Sequence, residues 1–590
     1  MLKTKTTLES FLLLIAAALP VSAETPAPSG ASTLSPFGIG ACHQTSQTPE
    51  KWIPQMAQIG IGMNRSAACS WAAVEPAEGK WEWAALDRQM QCMTDNKIES
   101  GGLLIGYPAW SRVAGEPAGI RLPVNNLAGW SNYVTQIVGR YKDRVKYWEV
   151  WNEPPNFTGK DQTAADYAKI VVAAYDAAKA ANPDCKIGLA TKSAHVNYLK
   201  QAIEAGAKDH FDYITVHPYE ILSGVADGRG TEPLYMHIVP TIRKMLADVN
   251  PAKADAPVWF TELGVDSGPV GKGYGKGSDV AAQALVKAYT MGIAQGVACI
   301  NWFEGMDGDS GPMGLLDAAG KPRPNYTAMT QLIRHLGPHP KYLGWVLLNG
   351  KDYGFVFQGA QGTVLSTWAP KGTPDHVAFG QPVEIVDPLT GAVTKADACD
   401  LTTSPVLVLG VPASLVAEAK ANKAKPFSWG GDYSDAKSVS IETVGDKTVE
   451  KGLHTLAGEA VAAAVVAYGG NARSGDIPGG NTFIVDPNFL SYTATPIRIT
   501  AVVRRNEANA NSGFKLVYES TAGYKTLGWY TVPDNKQWHT VTWDIDNAQF
   551  VNMWGFGFRF DSDGNQYNKY YIQSVTVEKA AKAKDALTSQ

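Results

Sequence analysis

Two glutamates close short apolar segments, in positions where carboxyl groups can do chemistry. Glu153 closes the segment YWEVWNEP (147–154), and Glu262 closes VWFTE (258–262). Because Pro154 cannot donate a ladder hydrogen bond, the first of these strands is predicted to stop there and to present Glu153 at its end. Two carboxyl groups that face each other across one mouth are what the cleavage of a glycosidic bond requires.

The elements that would position this pair alternate regularly between residues 36 and 340. The candidate strands are 37–41, 63–66, 100–105, 145–151, 186–190, 213–216, 258–261 and 298–303, with helical stretches between them. Eight such alternations predict a (β/α)8 TIM barrel, whose active site forms at the C-terminal ends of the strands. Glu153 and Glu262 then follow strands four and seven. A doubly wound sheet is the structural alternative, but no G-x-G-x-x-G segment follows the first strand.

Several further motifs accompany the two glutamates. They are NR (64–65), WAAVEP (71–76), GKW (79–81), HPY (217–219), Trp302, MGLLD (313–317) and GKPRP (320–324). Together with WNEP after strand four and TE after strand seven, they resemble the clan GH-A glycoside hydrolases. Within the clan the sequence is most similar to family 39 and related bacterial exopolysaccharide glycosidases. The resemblance covers roughly residues 36–412 and does not reach the C-terminal region.

The resemblance implies a retaining double displacement on the two carboxyl groups. Glu262 would attack the anomeric carbon, and Glu153 would act as general acid and then as general base. Glu153 must therefore begin neutral and Glu262 charged. Arg65 would keep Glu262 ionised through a charge-assisted bond.

The remaining family roles fall on three side chains near the pair. Asn152 would bond the sugar 2-hydroxyl, Tyr219 would orient Glu262, and Trp302 would form the floor of the −1 subsite. Further candidate substrate contacts after the strands are His43, Trp71, Trp110, Lys192 and His217. The structural alternatives are tryptophan rings that pack against helices, a histidine whose hydrogen bonds are satisfied at a strand end, and a solvated lysine. Glu149 shares strand parity with Glu153, so we expect it inside the barrel as a buried hydrogen-bonding group.

The chain after the barrel changes to a β pattern. Residues 341–412 are predicted to form a small β-sandwich, 413–425 a linker or short helix, 426–579 a C-terminal jelly-roll β-sandwich, and 580–590 a tail. The C-terminal sandwich is a candidate carbohydrate-binding domain, because Tyr524, Trp529, Tyr530 and Trp538 could form a sugar platform; core packing is the alternative. The run 561–565 is interpreted as a turn rather than a Ca²⁺ loop.

The N-terminal segment predicts export. Residues 1–23 read as a signal peptide whose apolar run, Phe11–Leu19, is too short to span a bilayer, and 24–35 form a polar leader. We expect a secreted or periplasmic protein without an integral membrane segment after signal removal. Six cysteines contain no C-x-x-C pair; Cys42 and Cys69 could bridge, or all could be buried thiols.

Composition narrows the choice of partners. A net charge of −4 argues against a nucleic-acid binder with a basic face. No metal or cofactor is expected, and the partner is a carbohydrate. The prediction is a retaining glycoside hydrolase acting on a poly- or oligosaccharide. A transglycosylase using the same two glutamates and a non-catalytic carbohydrate-binding protein are the alternatives.

Overall fold

A computed structural model describes residues 34–580, except 67, 371–373, 445–446, 457–464, 468–469, 476–480, 507–510 and 565. The predicted signal peptide, the leader up to residue 33 and the tail from residue 581 lie outside the described residues. Residue 565 of the predicted 561–565 turn does so too. Within the described part, no helix combines the length and apolarity that a bilayer crossing needs.

Eight parallel strands close into a barrel in sequence order, so the predicted fold is confirmed. They are β1 (Phe37–Gly40), β2 (Met63–Ser66), β3 (Glu99–Leu104), β4 (Val145–Val150), β5 (Lys186–Lys192), β6 (Tyr213–His217), β7 (Val258–Leu263) and β8 (Cys299–Trp302). The strands are short and almost wholly buried, as expected for a sheet that helices cover on its outer face.

Helices follow the barrel strands and carry the sequence signals that begin and end them. They are α1 (His43–Ser46), α2 (Ile53–Gln58), α3 (Trp71–Val74), α4 (Ala84–Asp95), α5 (Leu127–Arg140), α6 (Ala164–Ala181), α7 (Val196–Glu204), α8 (Tyr219–Ala226), α9 (Glu232–Met236), α10 (Ile238–Val249), α11 (Ser278–Ala294) and α12 (Pro324–Leu336). A capping box of Thr163 and Asp166 begins α6. As predicted, Asn182-Pro183 and Asn250-Pro251 end α6 and α10.

The described residues between 341 and 409 contain one six-stranded antiparallel sheet. Its strands are β9 (Lys341–Leu348), β10 (Asp352–Gly359), β11 (Gly362–Trp368), β12 (Asp375–Val386), β13 (Val393–Leu401) and β14 (Val406–Leu409). One face, with Phe355 and Trp368, joins the core of the barrel, and Trp368 Nε1 donates to buried Glu232 at 3.1 Å. The other face packs with α13 (Ala413–Asn422), so the predicted linker contains a helix that covers this sheet.

Twelve strands of the C-terminal region join in one hydrogen-bonded network around an aromatic and aliphatic core, in keeping with the predicted β-sandwich. They are β15 (Ser438–Val444), β16 (Lys447–Lys451), β17 (Leu453–His454), β18 (Val465–Ala467), β19 (Gly470–Ser474), β20 (Asn481–Val485), β21 (Thr495–Arg505), β22 (Gly513–Ser520), β23 (Gly523–Thr531), β24 (His539–Ala548), β25 (Phe558–Asp561) and β26 (Tyr570–Lys579).

The C-terminal region also packs on the rest of the protein. Phe427 lies in the aromatic cluster of Trp345 and Phe355, with ring centres 5.3 Å away in both cases. Tyr492 donates to Asp248 of α10 at 2.7 Å. Because of these contacts, the division of residues 426–579 into a separate domain remains a prediction.

All six cysteines are free thiols, and five of them are buried. The suggested bridge between Cys42 and Cys69 is wrong. The Cys42 thiol instead lies 3.2 Å from the hydroxyl of Thr45 at the start of α1. Burial raises the pKa of this thiol to about 11, so it remains protonated at neutral pH.

Candidate active site

Glu153 lies in a turn beyond the fourth strand rather than at its end. β4 stops at Val150, and the backbone of Trp151 (φ 68°) and Glu153 (φ 46°) is left-handed, which ends the ladder before Pro154 is reached. Glu262 lies within β7. Both carboxylate side chains are 15% exposed. One oxygen of each and a ring nitrogen of His217 all lie within 4.8 Å of one another.

Arg65, at the end of β2, holds the centre of the site together. Its guanidinium donates to Glu149 at 2.5 Å, to Glu262 at 2.9 Å and to Asn152 at 2.8 Å. Burial disfavours the charge on Arg65, but the adjacent carboxylates of Glu149 and Glu262 outweigh it and raise the Arg65 pKa. The predicted contact between Arg65 and Glu262 is confirmed, and the same contact fixes Asn152.

Glu149 is the buried hydrogen-bonding residue that strand parity predicts. It is 2% exposed and accepts hydrogen bonds from Thr215 at 2.7 Å and from Thr261 at 2.9 Å, besides the bond from Arg65. Burial raises the pKa of a carboxyl group, but Arg65 and His217 lower that of Glu149 to about 2. Glu149 is therefore a permanent anion beneath the site.

His217 connects this buried anion to Glu153. Its Nδ1 lies 2.8 Å from Glu153 and its Nε2 lies 3.1 Å from the hydroxyl of Thr261. Burial opposes the imidazolium, but Glu262, Glu149 and Glu153 surround it and raise the pKa of His217 to about 9. At neutral pH His217 therefore carries a proton that it donates to Glu153.

The protonation of Glu153 depends on His217. Burial favours its neutral form, but the hydrogen bond and the charge of His217 outweigh burial and lower the pKa of Glu153. In the substrate-free protein the proton lies on His217 and Glu153 is ionised. The sequence could not reveal this, because it depends on a 2.8 Å contact between residues 64 positions apart.

Tyr219 fixes the second oxygen of Glu262. Its hydroxyl donates to Oε1 at 2.9 Å, while Arg65 donates to Oε2. This is the orienting contact that the sequence predicts for Tyr219. With both oxygens held, the Glu262 carboxylate has one defined orientation.

An open cavity of about 550 Å³ lies above these groups. Of the predicted site residues, it is lined by His43, Arg65, Asn152, Glu153 and Glu262. His217 and Tyr219 lie behind the two carboxylates and contact them directly. The structure therefore brings seven of the predicted residues to one place.

The structure does not bring the three predicted tryptophans and Lys192 to the cavity wall. Trp71 is fully buried and stacks on Tyr133, and Trp110 packs edge-on against it. Trp302 is fully buried as well, with its Nε1 donating to the backbone of Met313 at 3.3 Å. These rings pack in the core, which was the structural alternative for Trp71 and Trp110. Lys192 donates to Asn156 at 2.7 Å.

The cavity wall contains side chains that the sequence reading missed. They are Arg112, Arg121, Phe157, Phe303, Asp309 and Ser310. Phe303 directly follows Trp302, and sequence alone does not decide which of two adjacent aromatic rings faces the cavity. The two arginines lie in the long loop after β3, whose course no periodic pattern predicts.

By donor type, Glu153, His217 and Glu262 could also hold a cation. Their donor atoms are already engaged: His217 Nδ1 with Glu153, and the two Glu262 oxygens with Tyr219 and Arg65. Each of the three side chains is therefore already held by another group of the protein.

Two protein-family models match parts of the barrel sequence. A model of glycosyl hydrolases family 39 matches residues 84–290, and one described as beta-galactosidase matches residues 42–102. The resemblance to family 39 is confirmed. The family 39 match includes both Glu153 and Glu262.

Several solved structures are similar to this chain. A family 39 glycoside hydrolase from Bacteroides cellulosilyticus WH2 superimposes with a TM-score of 0.53 at 19% identity, covering 64% of this chain and 81% of that one. The catalytic domain of GH30 xylanase C from Talaromyces cellulolyticus gives 0.45 at 12% identity, covering 64% and 96%. A glucosidase from Croceicoccus marinus gives 0.42 at 11%, covering 93% and 96%. At 19% identity, the likeness to the family 39 structure concerns the fold alone.

Proposed function

We propose that the protein is a retaining O-glycoside hydrolase that cleaves a poly- or oligosaccharide by double displacement. The observation that carries this proposal is the distance between the catalytic carboxylates, whose oxygens approach within 4.8 Å. Retaining enzymes hold these groups about 5–5.5 Å apart, whereas inverting enzymes need about 6.5–9.5 Å to admit a water molecule. The close approach of the two carboxylates supports the first arrangement.

Glu262 is the better nucleophile of the two. Its orientation is fixed at both oxygens by Tyr219 and Arg65, and His217 Nδ1 lies 3.7 Å from Glu262 but only 2.8 Å from Glu153. The positive charge of Arg65 favours the carboxylate form that attack on the anomeric carbon requires. Asn152, held by Arg65, lines the cavity beside this group, where its amide can bond a sugar hydroxyl.

Glu153 is the general acid and base, and His217 holds the proton that is passed to Glu153. The bond from Nδ1 to Glu153 gives the proton a direct path of 2.8 Å. A bound sugar would exclude water from Glu153 and favour its neutral form, so the proton would move from His217 to Glu153 before bond cleavage. The pair therefore enters the reaction with one shared proton, and its apparent pKa values belong to both residues.

This proton sharing predicts the effect of His217→Gln on the pH profile. The wild-type pair retains its proton below the raised pKa of about 9, so activity should fall only as pH rises through that value. In His217→Gln the proton must reside on Glu153 alone, and the alkaline limb of kcat/KM should move to lower pH. His210→Gln is the matched control, because His210 lies beside Asp176 away from the cavity. An unmoved alkaline limb in His217→Gln would show that Glu153 holds its proton without His217.

The stereochemistry of the first product tests the proposed function. A panel of aryl glycosides identifies a substrate, and proton NMR then follows the anomer that is released first. We expect the product to keep the configuration of the substrate. A product of inverted configuration would contradict the double displacement, and mass spectrometry of longer products would reveal transfer to sugars.

We also propose that the protein acts outside the cytoplasm. The charged start, apolar run and small-residue cleavage pattern of residues 1–23 support export. Cell fractionation tests this directly, since an exported protein should appear in the periplasm or medium without residues 1–23. Retention of the full-length chain in the cytoplasm would contradict it.

A further inference from the structure

The loop between β3 and α5 brings two arginines to the wall of the catalytic cavity. Arg112 and Arg121 both line it, as do Asp309 and Ser310 of the loop after β8. Arg121 is 7% exposed and Arg112 is partly exposed. The cavity therefore combines two catalytic carboxylates with a cationic wall in a separate loop.

The charge of Arg112 differs from that of the other cavity arginines because no acid balances it. Arg121 makes two bonds of 2.7 Å to the carboxylate of Asp161, and Arg65 is paired with Glu149 and Glu262. Arg112 donates instead to the backbone carbonyls of Pro117 at 3.1 Å, Gly119 at 2.6 Å and Tyr107 at 3.4 Å. Across the described ranges of the chain, no carboxylate lies within 4.0 Å of its guanidinium.

The nearest acid of the loop is engaged elsewhere. Glu116 accepts hydrogen bonds from the Tyr107 hydroxyl at 2.9 Å, from Asn125 at 2.9 Å and from the Val113 backbone at 3.3 Å. These bonds fix the loop and keep the Glu116 carboxylate on Tyr107. The guanidinium carbon of Arg112 lies 5.4 Å from the centre of the Tyr107 ring, which adds to its positioning.

These contacts fix the position of the Arg112 guanidinium, but none of them neutralises its positive charge. Its Nε and that of Arg121 are both buried and have no acceptor in the described residues. A positioned guanidinium with an unbalanced charge is suited to an anionic ligand group, because charge-assisted hydrogen bonds are about twice as strong as neutral ones. A neutral sugar would offer Arg112 only hydroxyl oxygens.

We propose that Arg112 binds an anionic substituent of the sugar chain. The inference rests on the proposed function, since it assigns a substrate class to the same cavity. The shared chemistry is a negative charge on the sugar, supplied by the carboxylate of a uronic acid or by a sulfate ester. The acidic groups Glu153, Glu262 and Asp309 also line the cavity and repel such a group, whereas Arg112 attracts it.

Binding of simple sugars tests this proposal without requiring turnover. Glucuronate, glucose 6-sulfate and glucose are titrated into wild-type protein and Arg112→Gln, with the thermal midpoint as the readout. We expect one or both charged sugars to stabilise the wild type more than glucose does, and the advantage to be lost in Arg112→Gln. The two charged probes distinguish a carboxylate from a sulfate. Equal shifts with all three sugars in the wild type would overturn the proposal.

Turnover supplies the second measurement. A uronic-acid polysaccharide and its carboxyl-reduced form differ only in charge, so their kcat/KM ratio reports the anion preference. We expect Arg112→Gln to reduce this ratio roughly 10- to 100-fold, mainly through KM. Lys160→Gln, which removes an exposed cation outside the cavity lining, should leave it unchanged. Arg112→Lys keeps the charge and should retain part of the preference.

The outcomes separate the two proposals. An unchanged ratio in a folded Arg112→Gln variant would overturn the role of Arg112 while leaving the hydrolase assignment intact. Absence of hydrolysis with every substrate would contradict the hydrolase assignment, and the binding titration would still decide whether Arg112 recognises an anion.

Discussion

Glu262→Ala should nearly abolish turnover of every glycoside that the wild type accepts. Without a nucleophile no glycosyl-enzyme can form, and the expected loss in kcat is roughly 10⁵-fold, or about 7 kcal/mol of barrier. The variant should still fold, because Glu262 is partly exposed and Arg65 keeps its bonds to Glu149 and Asn152. Thermal unfolding of the purified variant checks this.

Azide makes the test of Glu262 more specific. In Glu262→Ala it can enter the space of the missing carboxylate and attack the anomeric carbon directly, so the glycosyl azide should have inverted configuration. Glu220→Ala is the matched control, since Glu220 is exposed and adjoins Tyr219 in α8. Retained activity in Glu262→Ala, or equal losses in both variants, would show that Glu262 is not the nucleophile.

Glu153→Ala should affect substrates according to their leaving groups. A sugar alcohol leaves with a high pKa and needs a proton, whereas a dinitrophenolate leaves without one. We expect polysaccharide hydrolysis to slow about 10²- to 10⁴-fold, while glycosylation by an activated aryl glycoside keeps most of its rate. Rates on the two substrate types, measured side by side, give the comparison.

Azide again distinguishes the roles. It needs no general base, so it should restore turnover of the aryl glycoside by Glu153→Ala and yield a product of retained configuration. The variant should also lose the alkaline limb of the pH profile, because the proton shared with His217 no longer reaches the leaving group. Equal slowing of both substrate types without azide rescue would exclude Glu153 as the acid and base.

The sequence predicts the parts of this site that lie on or beside regular strands. Alternation of strands and helices places Glu153 and Glu262 on one face, and strand parity correctly buries Glu149. It does not reveal that His217 holds the proton of Glu153, since that depends on a distance between strands four and six.

The side chains that the loops bring to the cavity could not be predicted from the sequence. Trp302 and Phe303 are adjacent aromatic residues, and only the backbone path after β8 decides that Phe303 lines the cavity. Arg112 lies in a loop held by backbone carbonyls and Glu116, contacts that leave no periodic pattern in a sequence. The packing of Phe427 into the core of the preceding sheet is likewise a long-range contact.

The left-handed backbone at Trp151 and Glu153 has a consequence for selection on thermal stability. Each such residue costs roughly 1–3 kcal/mol that the surrounding barrel must offset, so the acid is held in place at the expense of folding free energy. Glycine and asparagine adopt this conformation more readily. Screens for heat-resistant variants should therefore favour Glu153→Gly or Glu153→Asn and, in doing so, discard the catalytic acid.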